Sequence, residues 1–263
     1  MEFSAHLQIQ EQEKPLDRIV SGGGLCGIFR TIGCIGDSLS SGEFESEDEN
    51  GVRGYHDYYE YSWGQYLARE VGCKVWNFSR GGMTAKEYWE SYAAENDLWA
   101  PEKVCQAYIL ALGVNDLLIQ GQPLGSVREL NWEDPDQNPA TMLGYYARII
   151  LRLRGLQPKA RFFFLSMPRE CTDSGETCRK KQAFSAALHQ LSEVIPYSYV
   201  LDFYRDAPVY DEEAKRRMYL RGHLNASGYL LTARMVSSYI DYLIRKYPAD
   251  FLETGLIGTP YHS

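Results

Sequence analysis

Four short blocks of this chain carry residue types suited to nucleophilic chemistry at a carbonyl carbon. The first is Ile35-Gly36-Asp37-Ser38-Leu39, a serine directly after an apolar run. A serine in the turn after a parallel strand is exposed at the sheet rim and can sit near a helix N-terminus, and both help a nucleophile. The second is Asn77-Phe78-Ser79-Arg80-Gly81-Gly82-Met83-Thr84, where a glycine lets a backbone N–H point into the rim, as an oxyanion donor must. The third, Gly113-Val114-Asn115-Asp116, offers an amide side chain that can donate a second hydrogen bond to the same developing charge. The fourth, Arg221-Gly222-His223-Leu224-Asn225, places a histidine just ahead of a helix, whose dipole disfavours the imidazolium and keeps a usable base. Taken singly, each block has an ordinary structural explanation: an N-cap serine, a Gly-rich turn closed by Thr84, an Asx turn, a structural histidine.

The elements that must position these blocks alternate along the chain. Apolar runs over 29–35, 74–78, 107–112, 161–166 and 197–203 mostly end in Gly, Ser, Asn or Asp, and read as five buried parallel strands. Helical patterns cover 63–71, 85–94, 139–153, 179–195 and 225–246. The third shows Met142, Tyr146, Ile149, Ile150 and Leu153 on one face, and the last starts at Asn225, a good N-cap. Strand and helix in alternation predict a parallel sheet covered on both faces. Four further segments, 43–61, 119–138, 168–178 and 204–221, lie outside this pattern and follow strands, so they reach the rim where open α/β sheets hold their sites.

Together the four blocks change the reading. The sequence resembles the SGNH (GDSL) hydrolase superfamily, named for Ser, Gly, Asn and His in four blocks, and here all four occur in family order between about residues 30 and 246. The resemblance implies an α/β protein with a three-layer α/β/α flavodoxin-like fold and a five-stranded parallel sheet. It implies a serine esterase with Ser38 as nucleophile, His223 as general base, and an oxyanion hole made of the Ser38 N–H, the Gly82 N–H and the Asn115 side chain. Gly82 rather than Gly81 matches, being five residues after Asn77 and two before Thr84. One departure stands out: the family usually has an Asp three residues before the His, and here that position is Leu220. An acid there would orient the imidazole, and spoiling the tautomer through such a partner lowers the rate by about 10⁴ in serine proteases. Three readings stay open: a Ser-His dyad with a backbone carbonyl fixing His223, which is preferred; an acid reaching in from Asp202, Asp206 or Asp211; or a weakened relative.

The composition bounds the rest. With 27 Lys plus Arg against 35 Asp plus Glu the net charge is −8, which argues against nucleic acid or anionic lipid as the main partner. No stretch approaches the roughly 18 apolar residues of a membrane span, and the N-terminus lacks a secretory pattern, so a cytoplasmic location is expected. One domain is expected over 1–263, with a core of about 30–246 and residues 1–29 as a lead-in. Gly22, Gly24 and Gly27 spell GxGxxG, but a strand pattern follows rather than precedes it, so they read as a flexible lead-in and not a dinucleotide site. Cys34 and Cys73 read as small buried hydrophobes, and no metal or cofactor is expected. The expected substrate is a small-molecule ester, a short acyl group, acetyl above all, on a carbohydrate-like or small alcohol. Tyr55, Tyr58, Tyr59 and Tyr61 offer stacking surfaces, and Arg80, Arg169 and Arg221 could hold an anionic group. An acyltransferase, a lysophospholipase-type lipid esterase and a non-catalytic ligand-binding relative remain as alternatives, and the oligomeric state is not legible.

Overall fold

Strands buried on both faces must carry apolar side chains at consecutive positions, and the five apolar runs do so. In the computed structural model, which describes residues 7–261, the strands are β1 (Thr31–Gly36), β2 (Glu43–Glu47), β3 (Arg53–Asp57), β4 (Lys74–Asn77), β5 (Ala107–Ala111), β6 (Arg161–Leu165), β7 (Ser198–Leu201), β8 (Tyr219–Leu220) and β9 (His223–Leu224). The principal helices are α1 (Trp63–Val71), α2 (85–95, with a π turn at Tyr88–Tyr92), α3 (Met142–Leu156), α4 (Gly175–Val194) and α5 (Ala226–Lys246).

Strands β4, β1, β5, β6 and β7 pair in that order, all parallel. Period-two alternation sends Ile35, Tyr108, Leu110, Phe162 and Phe164 to one face, under α2, α3 and α4. It sends Ile32, Cys34, Ile109 and Phe163 to the other, under α1 and α5. The result is the expected three-layer α/β/α fold. The chain leaves β1 for β4 on one side and returns to β5 on the other, so the sheet order reverses between β1 and β5. Ligand sites of open α/β sheets lie at such a reversal, outside the C-terminal strand ends. Ser38 and Asn115 follow those two strands.

Two expectations are corrected. The Gly22–Gly27 stretch is not a flexible lead-in but a 3-10 segment, Ser21–Ile28, docked on α1 and α5. Val20 N–H donates to Ser238 Oγ at 3.0 Å and Leu25 N–H to Asp241 Oδ1 at 2.8 Å, so polar groups on α5 fix it in place. Cys34 is buried as expected, whereas Cys73 is only half-buried.

The segment 43–61 is also more ordered than its acidic composition suggests. It folds as an antiparallel hairpin, β2 against β3, with Glu45 opposite Tyr55. Ser41 Oγ donates to Asp57 Oδ1 at 2.5 Å, and Tyr58 N–H to Gly42 O at 3.0 Å, which ties the hairpin to the turn carrying Ser38.

Gly36 ends β1 where the chain folds back on itself. A β-carbon there would overlap the Ser40 side chain in the next helical turn. Overpacking of this kind typically destabilises by about 1–3 kcal/mol. Gly36→Ala should therefore lower the unfolding free energy by that amount, read as a lower urea midpoint, and reduce turnover with it; an unchanged midpoint would show that the Ser38 turn has slack.

Candidate functional site

Ser38 opens a short helix, Ser38–Ser41, whose N-cap is Asp37; the Asp37 side chain accepts the Leu39 N–H at 3.0 Å. Ser38 is half-buried. From the opposite side the fully buried Tyr229 of α5 donates its hydroxyl to Ser38 O at 3.3 Å and to Glu43 O at 2.7 Å. One phenol thus joins the serine turn, the start of β2 and the last helix.

The turn after β4 carries Gly82, exposed and at φ +72°, a conformation that favours glycine. Ser79 Oγ donates to Cys34 O at 3.0 Å, and Thr84 caps α2 by accepting the Glu87 N–H at 3.1 Å. The turn after β5 holds this one through adjacent residues. Asn115 Nδ2 donates to Met83 O at 3.2 Å, and the buried Asp116 accepts the Ala85 N–H at 2.9 Å. Gly82 and Asn115 are therefore brought together. Asn115 keeps a second N–H beyond the one given to Met83.

His223 lies on β9, which pairs with β8 so that Leu220 stands directly opposite it. Leu220 is 40% exposed and supplies nothing to the imidazole. The three acids considered from sequence are all engaged elsewhere. Asp202 takes His189, Ser166 and Ser185; burial works to raise its carboxyl, but those hydrogen bonds hold it at about 2. Asp206 takes Arg205 and Tyr239, and Asp211 caps the Glu212–Met218 helix.

Two residues that the sequence reading left unassigned flank His223 instead. Glu43 Oε1 is 3.0 Å from Nε2, and Glu45 Oε2 is 3.4 Å from Nδ1. The signal was present as alternation: residues 43 and 45 on a strand share a face, and Phe44 turns to the other, against Tyr58, Tyr61 and Tyr229. The other oxygen of Glu43 lies against Gly81, where a β-carbon would collide with it. Among the described residues no hydrogen bond joins Ser38 Oγ to His223.

Two of the three arginines expected to hold an anion are paired with acids. Arg80 pairs with Glu87, and Arg221 pairs with Glu47; Arg169 lies over the Tyr204 ring. The field at the site is acidic. Burial pushes the Asp37 carboxyl up to about 7 and the Asp116 carboxyl up to about 6, and Oδ2 of each is buried without a hydrogen-bond partner among the described residues. Burial also raises Glu43, partly opposed by His223, whereas the Gly222 N–H holds Glu45 below the usual range. Beneath the serine turn is a mainly apolar cavity bounded by Leu39, Leu112, Val114, Met167 and Leu224. No group of three or more His, Cys, Asp or Glu suited to a metal ion occurs among the described residues, and no helix there is long and apolar enough to cross a membrane.

Residues 34–231 match the GDSL-like lipase/acylhydrolase family. No curated protein matches the chain significantly. Among solved structures it is similar to the psychrotrophic esterase EstA from Pseudoalteromonas sp., with 16% identity, 82% of this chain and 98% of that one covered, and a TM-score of 0.54. It is also similar to a family 2 carbohydrate esterase from Clostridium thermocellum in complex with cellohexaose (15% identity, 84% and 65% covered, TM-score 0.55). A third likeness is the family 2 carbohydrate esterase with a carbohydrate-binding domain from Corynascus thermopiles (Myceliophthora fergusii), at 14% identity, 82% and 66% covered, TM-score 0.57. The chain spans about two thirds of each of the last two. At these identities the likeness shows the fold.

The raised Asp37 carboxyl has a thermodynamic signature. An unfolded Asp ionises near pH 4, so between there and about 7 the folded state holds the extra proton, and stability falls as pH rises through that window. Asp37→Asn keeps the acceptor for Leu39 N–H and removes the charge. Its gain in unfolding free energy over the parent should grow from about pH 4 to 7 and level off above, as urea unfolding at several pH values would show; a gain that does not vary with pH contradicts the assignment.

Proposed function

The chain belongs to the GDSL-like lipase/acylhydrolase family and is a carboxylic ester hydrolase, and we propose that it works through an acyl-enzyme on Ser38. His223 Nε2 takes the Ser38 hydroxyl proton as Oγ attacks the ester carbonyl carbon. The oxyanion is held by the N–H groups of Ser38 and Gly82 and by the Asn115 amide. The tetrahedral intermediate collapses, the ester C–O bond breaks, and His223 returns the proton to the leaving alcohol. Water then attacks the acyl-enzyme with His223 again as base, releasing the acid and restoring Ser38.

The observation that carries this reading is the clamp between the β4 and β5 turns. It holds Asn115 against the Gly82–Met83 backbone, next to the serine turn at the reversal of the sheet. Donors fixed by the fold in advance need no reorganisation when charge develops, which is what makes such sites effective.

We propose a short acyl group, acetyl above all, on a carbohydrate-like or small alcohol. Support comes from the open aromatic surface beside the base: Tyr55, 55% exposed, stands edge-on to the His223 ring with centroids 5.7 Å apart. A rigid ring of this kind can stack on a sugar face. The cavity under Leu39 and Leu112 favours a second reading, a longer acyl chain of the lysophospholipase type.

A p-nitrophenyl ester series from acetate to decanoate separates the two. Turnover should be highest at acetate and fall with length; an optimum at octanoate or decanoate would establish the second reading. Ser38→Ala should abolish turnover on every ester while leaving the fold intact. Asn115→Ala should lower kcat by about 10²–10³ with a small change in KM, as for loss of one oxyanion donor.

A further inference from the structure

His223 meets a carboxylate at each ring nitrogen, and both come from β2, in a segment expected at the rim but with no role expected for Glu43 or Glu45. We propose that Glu45 is the positioning residue for His223, supplied by the β2–β3 hairpin in place of an acid at position 220, and that Glu43 holds the opposite nitrogen in a resting form that substrate must displace. This rests on the reading of Ser38 and His223 as nucleophile and base.

The geometry separates the two glutamates. The Glu45 side chain is only 3% exposed, and its Oε2 accepts the Gly222 N–H at 2.9 Å as well as facing Nδ1. Its Oε1 faces Arg53 at 3.5 Å. The carboxylate is therefore fixed to the backbone residue just before His223, and it moves with the imidazole rather than independently of it. Tyr55, opposite Glu45 in the hairpin, closes on the ring edge-on. A buried carboxylate on Nδ1 selects the tautomer that carries its proton there and leaves the Nε2 lone pair for the serine.

Glu43 sits where that lone pair must act. With Nδ1–H given to Glu45, the 3.0 Å contact between Nε2 and Glu43 Oε1 requires one more proton, on the imidazole or on the carboxyl. The resting form thus holds a proton that has to leave before His223 can accept the one from Ser38. Glu43 must also yield Nε2 to Ser38 Oγ. Its second oxygen lies against Gly81, next to the proposed oxyanion donor, so an ester carbonyl entering there displaces the same carboxylate. The charged and titratable groups facing the imidazole are Glu43 and Glu45 on β2 and Tyr55 on β3. Behind them Arg53 faces Glu45, Asp57 and His56 act on Glu43, and Arg221 is held by Glu47.

The test compares Glu45→Gln, Glu45→Asp and Glu43→Ala with the parent, with Ser38→Ala and His223→Ala as controls, on p-nitrophenyl acetate from pH 5 to 9. Glu45→Gln should lose about 10²–10⁴ in kcat with KM within a few-fold, in line with loss of the orienting acid in serine proteases. The acidic limb of its kcat/KM profile should move to lower pH, because the removed carboxylate favoured the imidazolium. Glu45→Asp should recover part of the loss. Glu43→Ala should also move the acidic limb to lower pH, since it too removes a carboxylate facing the imidazole, but with kcat kept or raised rather than lost. A Glu45→Gln enzyme with the parent's kcat and pH profile overturns the proposal, as does a loss that follows Glu43→Ala instead. Turnover that survives Ser38→Ala or His223→Ala instead overturns the underlying reading, whatever the Glu45 variants do. If Glu45→Gln does not fold, proton NMR of the parent decides. A strongly downfield imidazole N–H that disappears in His223→Ala but persists in Glu43→Ala supports the carboxylate on Nδ1; no such resonance, or one lost with Glu43, overturns it.

Discussion

The fold's central constraint at the site is the grip of the β5 turn on the β4 turn. Asp116 is fully buried and gives one oxygen to the Ala85 N–H, and its neighbour Asn115 holds Met83 O. Burying a carboxylate in this way is unfavourable unless hydrogen bonds offset it, and the upward push on Asp116 records how incompletely they do. The gain is rigidity at one place. The N-terminus of α2, the Gly82 turn and the Asn115 side chain cannot shift separately. Asp37 repeats the pattern just after β1, capping the serine helix from a buried position. The serine turn and the β4 and β5 turns are each held by a carboxyl that the protein interior disfavours in its charged form.

Much of the scaffold is legible in the sequence because its strands and helices obey local periodicities. Parallel strands buried on both faces must be continuously apolar, and 107–112 and 162–165 are. Helix α1 spans the range expected for it, and Asn225 caps α5 by accepting the Gly228 N–H at 3.0 Å. The four chemical blocks are legible for a related reason: each is short, and each follows a strand or precedes a helix.

What the sequence conceals depends on pairing across distance. Residues 43–47, Glu-Phe-Glu-Ser-Glu, have the composition of a solvated loop. The burial of Glu45 among them is created by strand 53–57 and by His223, the latter 178 residues away. The acids tried from sequence, Asp202, Asp206 and Asp211, are near His223 in the chain but carry structural bonds of their own. Arg80 and Arg221 reach the rim as expected, yet Glu87 and Glu47 neutralise them there. Proximity along the chain is a poor guide where partners are chosen in space. The Gly22–Gly27 stretch fails in the same way, since only Ser238 and Asp241 on α5 make it ordered.

An acid that shares a loop with its histidine keeps its alignment whenever that loop is intact. On the proposed assignment base and acid stand on separate elements, so alignment depends on how the β2–β3 hairpin docks. An isolated two-stranded hairpin is marginal in water. This one is held by Ser41 on Asp57, by the Tyr229 hydroxyl on Glu43 O, and by Phe44 packed among Tyr58, Tyr61 and Tyr229. Most of these anchors contact the serine turn or the helix that follows His223. Local opening of the hairpin therefore withdraws Glu45 and Glu43 from the imidazole together, and the two effects oppose each other: the base loses its orientation and gains access to the serine. On that proposal the site is most active when the hairpin stays docked at Glu45 while releasing Glu43. Strand geometry permits that, because Glu45 lies mid-strand with its carboxylate on the Gly222 N–H, whereas Glu43 is the first residue of β2, at the end that emerges from the serine turn.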